Sequence, residues 1–350
     1  MSGTQGGASE VRDKPASPLL AVENLSKHFP LKGGLLNRSR GVVQAVDDVS
    51  FTVQNGETLG VVGESGCGKS TTARLLMHLI SPNSGRIIFA GRPVGDANGI
   101  SRRDLHRQMQ MVFQDSYASL NPRLPVAMSI AFGPFVHGLA KAAALRRAMD
   151  LLAAVGLDPP LFANRYPHEL SGGQRQRINV ARALALGPRI VILDEAVSAL
   201  DKSVEAQVLN LLVDLKAEFE LTYIFISHDL NVVRYISDRV MVMYLGKVVE
   251  IGPVDRIYRD PQHPYTRALL SAMPSMDPHR RTLSAPLTGD PPNPISPPSG
   301  CRFRTRCPFA EPVCEAVPPS LVAAAAASAV ACHMRVPGSG HSRAANAVPH

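Results

Sequence analysis

Gly63-Glu64-Ser65-Gly66-Cys67-Gly68-Lys69-Ser70-Thr71 fits the pattern G-x-x-x-x-G-K-[ST]. An apolar run, Thr58–Val62, precedes it and a helical pattern, Thr72–Ile80, follows. That pattern between a strand and a helix is a phosphate-binding loop. Glycines let the backbone wrap so that several N–H groups converge on phosphate oxygens. The helix N-terminus adds the positive end of its dipole. Lys69 can reach the β- and γ-phosphates, and the Ser70 hydroxyl can ligate Mg²⁺. Cys67 reads as a small filler within the loop. A Gly-rich turn that fits by chance is the alternative, and the flanking strand and helix disfavour it.

Asp194-Glu195 ends the apolar run Ile190–Leu193. In open α/β sheets, ligands bind at the carboxyl ends of strands. An Asp there can hold Mg²⁺, and a Glu beside it can accept a proton from attacking water. Gln114 ends the run Met109–Phe113 and is a candidate to sense Mg²⁺ and that water. His228 follows Thr222–Ser227 and could donate to the γ-phosphate; a structural His is the alternative. Ser171-Gly172-Gly173-Gln174 opens another helical pattern. It can be a capping box, a second phosphate cradle, or both. One nucleotide does not need two cradles, so the second can serve a nucleotide on another subunit. Phe29 is a candidate face for adenine, with a core Phe as the alternative.

These residues need a sheet that brings several strand ends to one edge. Strand-like runs alternate with helical patterns at Gly173–Leu186 and Ser203–Phe219, which predicts a mostly parallel α/β sheet. Leu19–Phe29, Val42–Val53 and Arg86–Gly91 add further strands, and Val240–Val249 reads as a hairpin turning at Leu245-Gly246-Lys247. From Ser116 to about Gly173 strand-like runs give way to helical periods such as Ala142–Val155, as expected of a helical insertion. Residues 1–18 read as a leader, and 31–41 as an exposed loop. A Pro-rich arm begins at Pro274 and runs to about residue 300, and a flexible tail is expected over 337–350.

The 350 residues are 45% hydrophobic and 19% charged, which describes a folded chain with a large core. The net charge of +8 suits phosphate-bearing ligands or an anionic membrane surface. No dense basic run interleaved with aromatics points to nucleic acid. The first residues carry no apolar core of a secretory signal. No apolar run is long enough to span a bilayer. Cytosolic cysteines are then read as thiols or metal ligands before disulfides.

Gly63–Thr71, Gln114, Leu170–Gln174, Ile190–Glu195, Ser198-Ala199-Leu200-Asp201 and His228 stand in the order of an ABC-type ATPase, which the chain resembles over about residues 19–335. They look like its Walker A, Q-loop, signature, Walker B, D-loop and H-switch. Ser119-Leu120-Asn121-Pro122-Arg123, His263-Pro264-Tyr265-Thr266 and the terminal cysteines are similar to the ATP-binding subunits of bacterial dipeptide/oligopeptide importers. The resemblance implies a P-loop α/β core with an antiparallel β subdomain, spanning 19–273 and carrying the helical subdomain (about 116–172). An arm with a cysteine module would follow over 274–336. It implies an ATPase with ATP and Mg²⁺ as cofactors, in which Ser70, Gln114 and Asp194 attend Mg²⁺ and Glu195 activates water. Partners would be a paralogous ATPase subunit in a head-to-tail heterodimer, two transmembrane permease subunits and an extracytoplasmic binding protein. The chain would sit peripherally on the cytoplasmic face of the inner membrane. Two departures fall near the dimer seam: Ala196 stands where Pro is usual, and Lys202 where an apolar residue is common.

Cys301, Cys307, Cys314 and Cys332 are spaced C-x5-C-x6-C-x17-C. Zinc sites more often show closer cysteine pairs. Four thiolates can hold a [4Fe–4S] cluster, and Arg302, Arg304, Arg306 and Arg335 would offset its charge. Some members of the resembled family carry such a cluster. Zinc and free structural thiols are the alternatives. Competing functions are the same ATPase serving nickel, glutathione or another small solute, and a soluble ABC-type ATPase acting on nucleic acid or ribosomes.

Overall fold

The computed structural model describes residues 17–31, 41–273, 289–290, 292–324 and 327–344. The expected leader up to residue 16, most of the 31–41 loop, the arm over 274–288 and the end of the tail lie outside the described residues.

Twelve strands form among the described residues: β1 (Leu20–Pro30), β2 (Val42–Val53), β3 (Thr58–Val62), β4 (Ser84–Phe89), β5 (Arg92–Pro93), β6 (Met109–Val112), β7 (Ile190–Asp194), β8 (Thr222–Ile226), β9 (Arg239–Tyr244), β10 (Lys247–Pro253), β11 (Val322–Ala324) and β12 (Ser328–Val330). They make two sheets. One is four-stranded in the order β2-β1-β4-β5, antiparallel throughout. The other is eight-stranded in the order β11-β12-β10-β9-β3-β8-β7-β6. Its strands from β9 to β6 run parallel, and β10, β12 and β11 add antiparallel at one edge.

The parallel strands read as unbroken apolar runs because both faces of the sheet are covered. Side chains alternate between the faces. Val191, Leu193, Tyr223, Phe225, Val240 and Val242 pack into one core with the helical residues Leu151, Leu152, Ile178 and Leu212. Ile190, Ile192, Ile224, Ile226, Met241 and Met243 pack into a second core with Leu20, Val49, Phe51 and Phe89 of the antiparallel sheet. The antiparallel sheet therefore covers one face together with Leu75 and Leu76 of the helix after the P-loop, and the helices that carry Leu151, Ile178 and Leu212 cover the other.

The insertion between β6 and β7 is helical, with helices at Val126–Val136, Lys141–Ala154, Pro159–Phe162 and Gly172–Leu184. The hairpin turn falls at Leu245 and Gly246, both with positive φ (43° and 80°). Several boundaries differ from the sequence reading. The helix after the P-loop starts at Lys69 and stops at Leu76, because His78 enters the left-handed region with φ 53°. Helices at Arg102–Gln108 and Leu230–Ile236 and the hairpin β11–β12 were not anticipated. Each is short, so apolar periodicity gives little signal. The first part of the expected tail packs back on the module: the Ser342 N–H donates to Glu311 Oε2 at 2.8 Å, and His341 is buried beside the Phe309 carbonyl. The end of the Pro-rich arm lies along β2, where the Gln44 N–H donates to Pro294 O.

Candidate functional site

β3, β6, β7 and β8 are parallel neighbours or near neighbours, so their carboxyl ends share one edge. The P-loop leaves β3 there. Gly63, Gly66 and Gly68 adopt φ of 149°, 76° and 108°. A Cβ on Gly63 would stand 2.2 Å from Met243 O, and one on Gly68 2.2 Å from Ala45 O, so neither position tolerates a side chain. Lys69 is buried, and its Nζ donates to Gly63 O at 2.7 Å and Glu64 O at 3.1 Å. Thr72 Oγ1 donates to Gly68 O and fastens the helix start. Cys67 is buried, as a filler would be, and burial pushes its thiol pKa up.

β7 delivers the acidic pair. The Ser70 hydroxyl donates to Asp194 Oδ1 at 2.9 Å. Asp194 is buried at the strand end, and burial raises its pKa, opposed by the Ser70 hydrogen bond. Glu195 follows in the left-handed region with φ 48°. A non-glycine residue held there is strained. Its backbone N–H is tied to Ile226 O at 2.9 Å, and its carbonyl accepts from Ser198 Oγ. Gln114 Nε2 donates to Glu195 Oε2 at 2.9 Å, and His228 Nδ1 stands 3.5 Å from the same oxygen. Ser70 and Asp194 thus form one cluster, and Gln114, Glu195 and His228 another, at the ends of four strands. The donor set fits Mg-ATP: ammonium and backbone N–H groups for phosphates, hydroxyl and carboxylate oxygens for a hard cation.

The other predicted residues lie elsewhere. Ser171 caps the helix Gly172–Leu184 in a reciprocal box with Gln174, with bonds of 3.3 and 3.0 Å. A Cβ on Gly173 would meet Val204 Cγ1 at 2.5 Å, so this glycine also serves helix packing. Phe29 is 37% exposed, with the Lys27 ammonium over its ring, 5.3 Å from the ring centre. Lys202 pairs with Asp229 at 2.8 Å and Glu205 at 2.9 Å, and Ala196 is buried.

Cys301, Cys307, Cys314 and Cys332 line one small cavity with His263 and His333. Burial pushes the Cys301 thiol up to about 12 and the Cys332 thiol up to about 11. Among the described residues, however, no group of three or more His, Cys, Asp or Glu side chains is arranged to hold a metal ion. The fold gathers the four thiols at one cavity.

Sequence reasoning missed the residues that hold these loops. Asn179 Nδ2 donates to Ser116 O at 3.0 Å, and Arg182 donates to the Ser119 carbonyl. Both lie on the buried face of the helix opened by Ser171 and tether the segment after Gln114. Two polar residues at i and i+3 among apolar neighbours were the available signal.

A glycine loop on β3, an acidic pair on β7 and a histidine after β8 on a sheet of this order define a P-loop ATPase of the ATP-binding-cassette class. The family models agree: "ABC transporter" matches residues 46–198, and "Oligopeptide/dipeptide transporter, C-terminal region" matches 249–314. The chain is 54% identical over 321 residues to a probable peptide ABC transporter ATP-binding protein, y4tS, of Sinorhizobium fredii, covering 91% of this chain and 90% of that one. It is 49% identical over 325 residues to the oligopeptide transport ATP-binding protein AppF of Bacillus subtilis, covering 90% and 97%. Among solved structures it is similar to the ATP-binding cassette MJ0796, a dimer in a post-hydrolysis state with ADP and Pi. That match has TM-score 0.57 and 26% identity and covers 67% of this chain and 98% of that one. The chain belongs to the family of ATP-binding subunits of oligopeptide/dipeptide ABC transporters. It is an ATPase, and none of its described helices is long and apolar enough to cross a membrane.

Proposed function

We propose that this chain hydrolyses ATP to energise import of di- and oligopeptides through an inner-membrane permease. The observation that carries the reading is the convergence of Ser70–Asp194 and Gln114–Glu195–His228 on one sheet edge, in a chain that also matches the oligopeptide/dipeptide C-terminal region. Lys69 and the N–H groups of Ser65 to Thr71 bind the phosphates. Ser70 and Asp194 would hold Mg²⁺, which neutralises phosphate charge when bound. Glu195 orients the attacking water and takes its proton. Gln114 holds the Glu195 carboxylate in position, and His228 donates to the γ-phosphate. Phe29 offers its face to adenine.

The Ser171–Gln174 cradle is supplied to the nucleotide of a paralogous ATPase subunit, in a head-to-tail heterodimer. Two permease subunits and an extracytoplasmic binding protein complete the assembly, and the chain sits on the cytoplasmic face of the membrane. Residues 19–273 form the ATPase domain, with the helical subdomain at about 116–172, and 274–336 the arm and cysteine module. A [4Fe–4S] cluster on Cys301, Cys307, Cys314 and Cys332 has the shared cavity in its favour and the arrangement of the thiols against it. Iron and acid-labile sulfide in anaerobically purified protein decide between the two.

The test is reconstitution of the transporter in vesicles with its binding protein. ATP turnover and uptake of labelled peptide should both require Lys69 and be lost in Lys69→Ala. Uptake of nickel or glutathione in place of peptide would overturn the cargo.

A further inference from the structure

The P-loop is gripped from outside the region where nucleotide motifs lie. Glu64, the second residue of the loop, is caught twice. Its backbone N–H donates to the Tyr265 hydroxyl at 2.9 Å, across 201 residues of chain. Its carboxylate takes a two-pronged contact from Arg306, with Nη1 2.8 Å from Oε2 and Nη2 3.0 Å from Oε1, across 242 residues. Arg306 belongs to the cysteine module, one residue before Cys307, and its side chain is 6% exposed.

Both grips are braced by Tyr244, whose hydroxyl accepts from Arg306 Nη1 at 3.4 Å. Tyr265 is fully buried and packs on Tyr244 with ring centres 4.6 Å apart and on Phe303 at 5.4 Å. The segment that carries it is pinned by Glu250 of β10, which accepts the N–H groups of Gln262 and His263 at 2.7 and 2.9 Å. A second path runs through Arg302, which donates to Leu245 O in the β9–β10 turn; Gly246 N in that turn donates to Cys67 O at 2.8 Å. The loop's own lysine leans on the same residue, since Lys69 Nζ also donates to Glu64 O.

A carboxylate is a liability in a loop that must receive a polyanion. Two-pronged Arg–carboxylate pairs neutralise charge and fix geometry together. Removing one partner of a largely desolvated pair leaves the other uncompensated. The geometry points to Arg306 and Tyr265 as positioning residues of the ATP site: the C-terminal module neutralises Glu64 and holds the P-loop in its phosphate-binding shape. Nucleotide affinity then depends on residues outside the nucleotide-binding motifs. This rests on the ATP-binding reading above.

The test measures affinity of the full chain for a fluorescent ATP analogue, with ATP KM and kcat of the reconstituted transporter. Arg306→Met should weaken binding about tenfold and raise KM in step, with kcat within about twofold. Arg306→Lys should recover part of the loss. Glu64→Gln combined with Arg306→Met should bind within about threefold of wild type, because the stranded carboxylate is gone. Wild-type affinity in Arg306→Met, or a double variant as weak as the single, would overturn the inference. Should Arg306→Met not fold, Tyr265→Phe keeps the ring and removes only the hydroxyl. It should bind ATP about threefold more weakly, with Tm lowered by no more than about 5 °C from the lost hydrogen bond, and undiminished binding overturns the inference. Failure of the wild-type chain to bind the analogue would instead sink the ATP reading itself.

Discussion

Gln114 Nε2 donates to Glu195 Oε2 at 2.9 Å, joining the end of β6 to the end of β7 across 81 residues. Glu195 is thereby held with its strained backbone anchored at both the N–H and the carbonyl. Removing the base while keeping its shape tests this arrangement. Glu195→Gln should retain ATP binding and lose at least about 100-fold in turnover, the usual worth of a positioned base. Single-turnover assays in the assembled transporter check it, and turnover near wild type would reject Glu195 as the base.

Ser70 Oγ lies 2.9 Å from Asp194 Oδ1, the spacing of two groups able to share one cation. Ser70→Ala should leave metal-free ATP binding within about twofold and weaken the Mg²⁺-dependent increment about tenfold, equal to about 1.4 kcal/mol. Titrations with and without Mg²⁺ separate the two effects. An unchanged Mg²⁺ increment would remove Ser70 from the metal site.

Lys202, at the start of the helix Lys202–Glu218, is an exposed link from that helix to Asp229, next to His228. Exposed pairs contribute up to about 1 kcal/mol. Lys202→Met should therefore cost no more than about 0.5 kcal/mol, an effect that fades in high salt. Asp229→Ala should cost about 1–2 kcal/mol, because Asp229 also caps its helix, accepting from Asn231 N at 2.9 Å. Equal losses in urea titrations of the two variants would contradict this division of roles.

Burial holds the His263 imidazole neutral, pushing its pKa from the ordinary 6.5 down to about 3. Above pH 6.5 neither folded nor unfolded chain binds this proton. As pH falls below 6.5 the unfolded chain takes it up and the folded chain does not, so stability falls until the folded pKa is reached. The slope for one proton is about 1.4 kcal/mol per pH unit. His263 Nδ1 accepts the Tyr265 N–H at 3.0 Å as a helix cap, a role that Asn can fill. His263→Asn should lose about 2 kcal/mol less than wild type between pH 7 and 5. Parallel denaturation curves at the two pH values, with no difference between the proteins, would disprove it.

The strand ends that carry chemistry were legible because each is a local signal. Ile190–Asp194 is an apolar run closed by an acid, and Gly63–Thr71 is one loop with its own helix. The Ser171–Gln174 capping box was equally plain. Short elements were not legible, since Arg102–Gln108 and β11–β12 have too few residues to show a period. The cysteine spacing was readable, but spacing along a chain does not state how side chains face one another in space. The fold gathers the four thiols at one cavity without a metal-holding arrangement.

The sequence by itself determined that this protein binds a nucleotide, on which loop, and that an acid pair and a histidine each end an apolar strand. Those features depend on short-range backbone geometry and residue type, which a contiguous stretch contains in full. Only the tertiary structure decided that Glu64 would be neutralised by Arg306 and pinned by Tyr265. A contact between residues more than 200 apart has no local signature. It exists because β9 pairs with β3 and β10 with β9, and the segments that follow β10 return to Glu64.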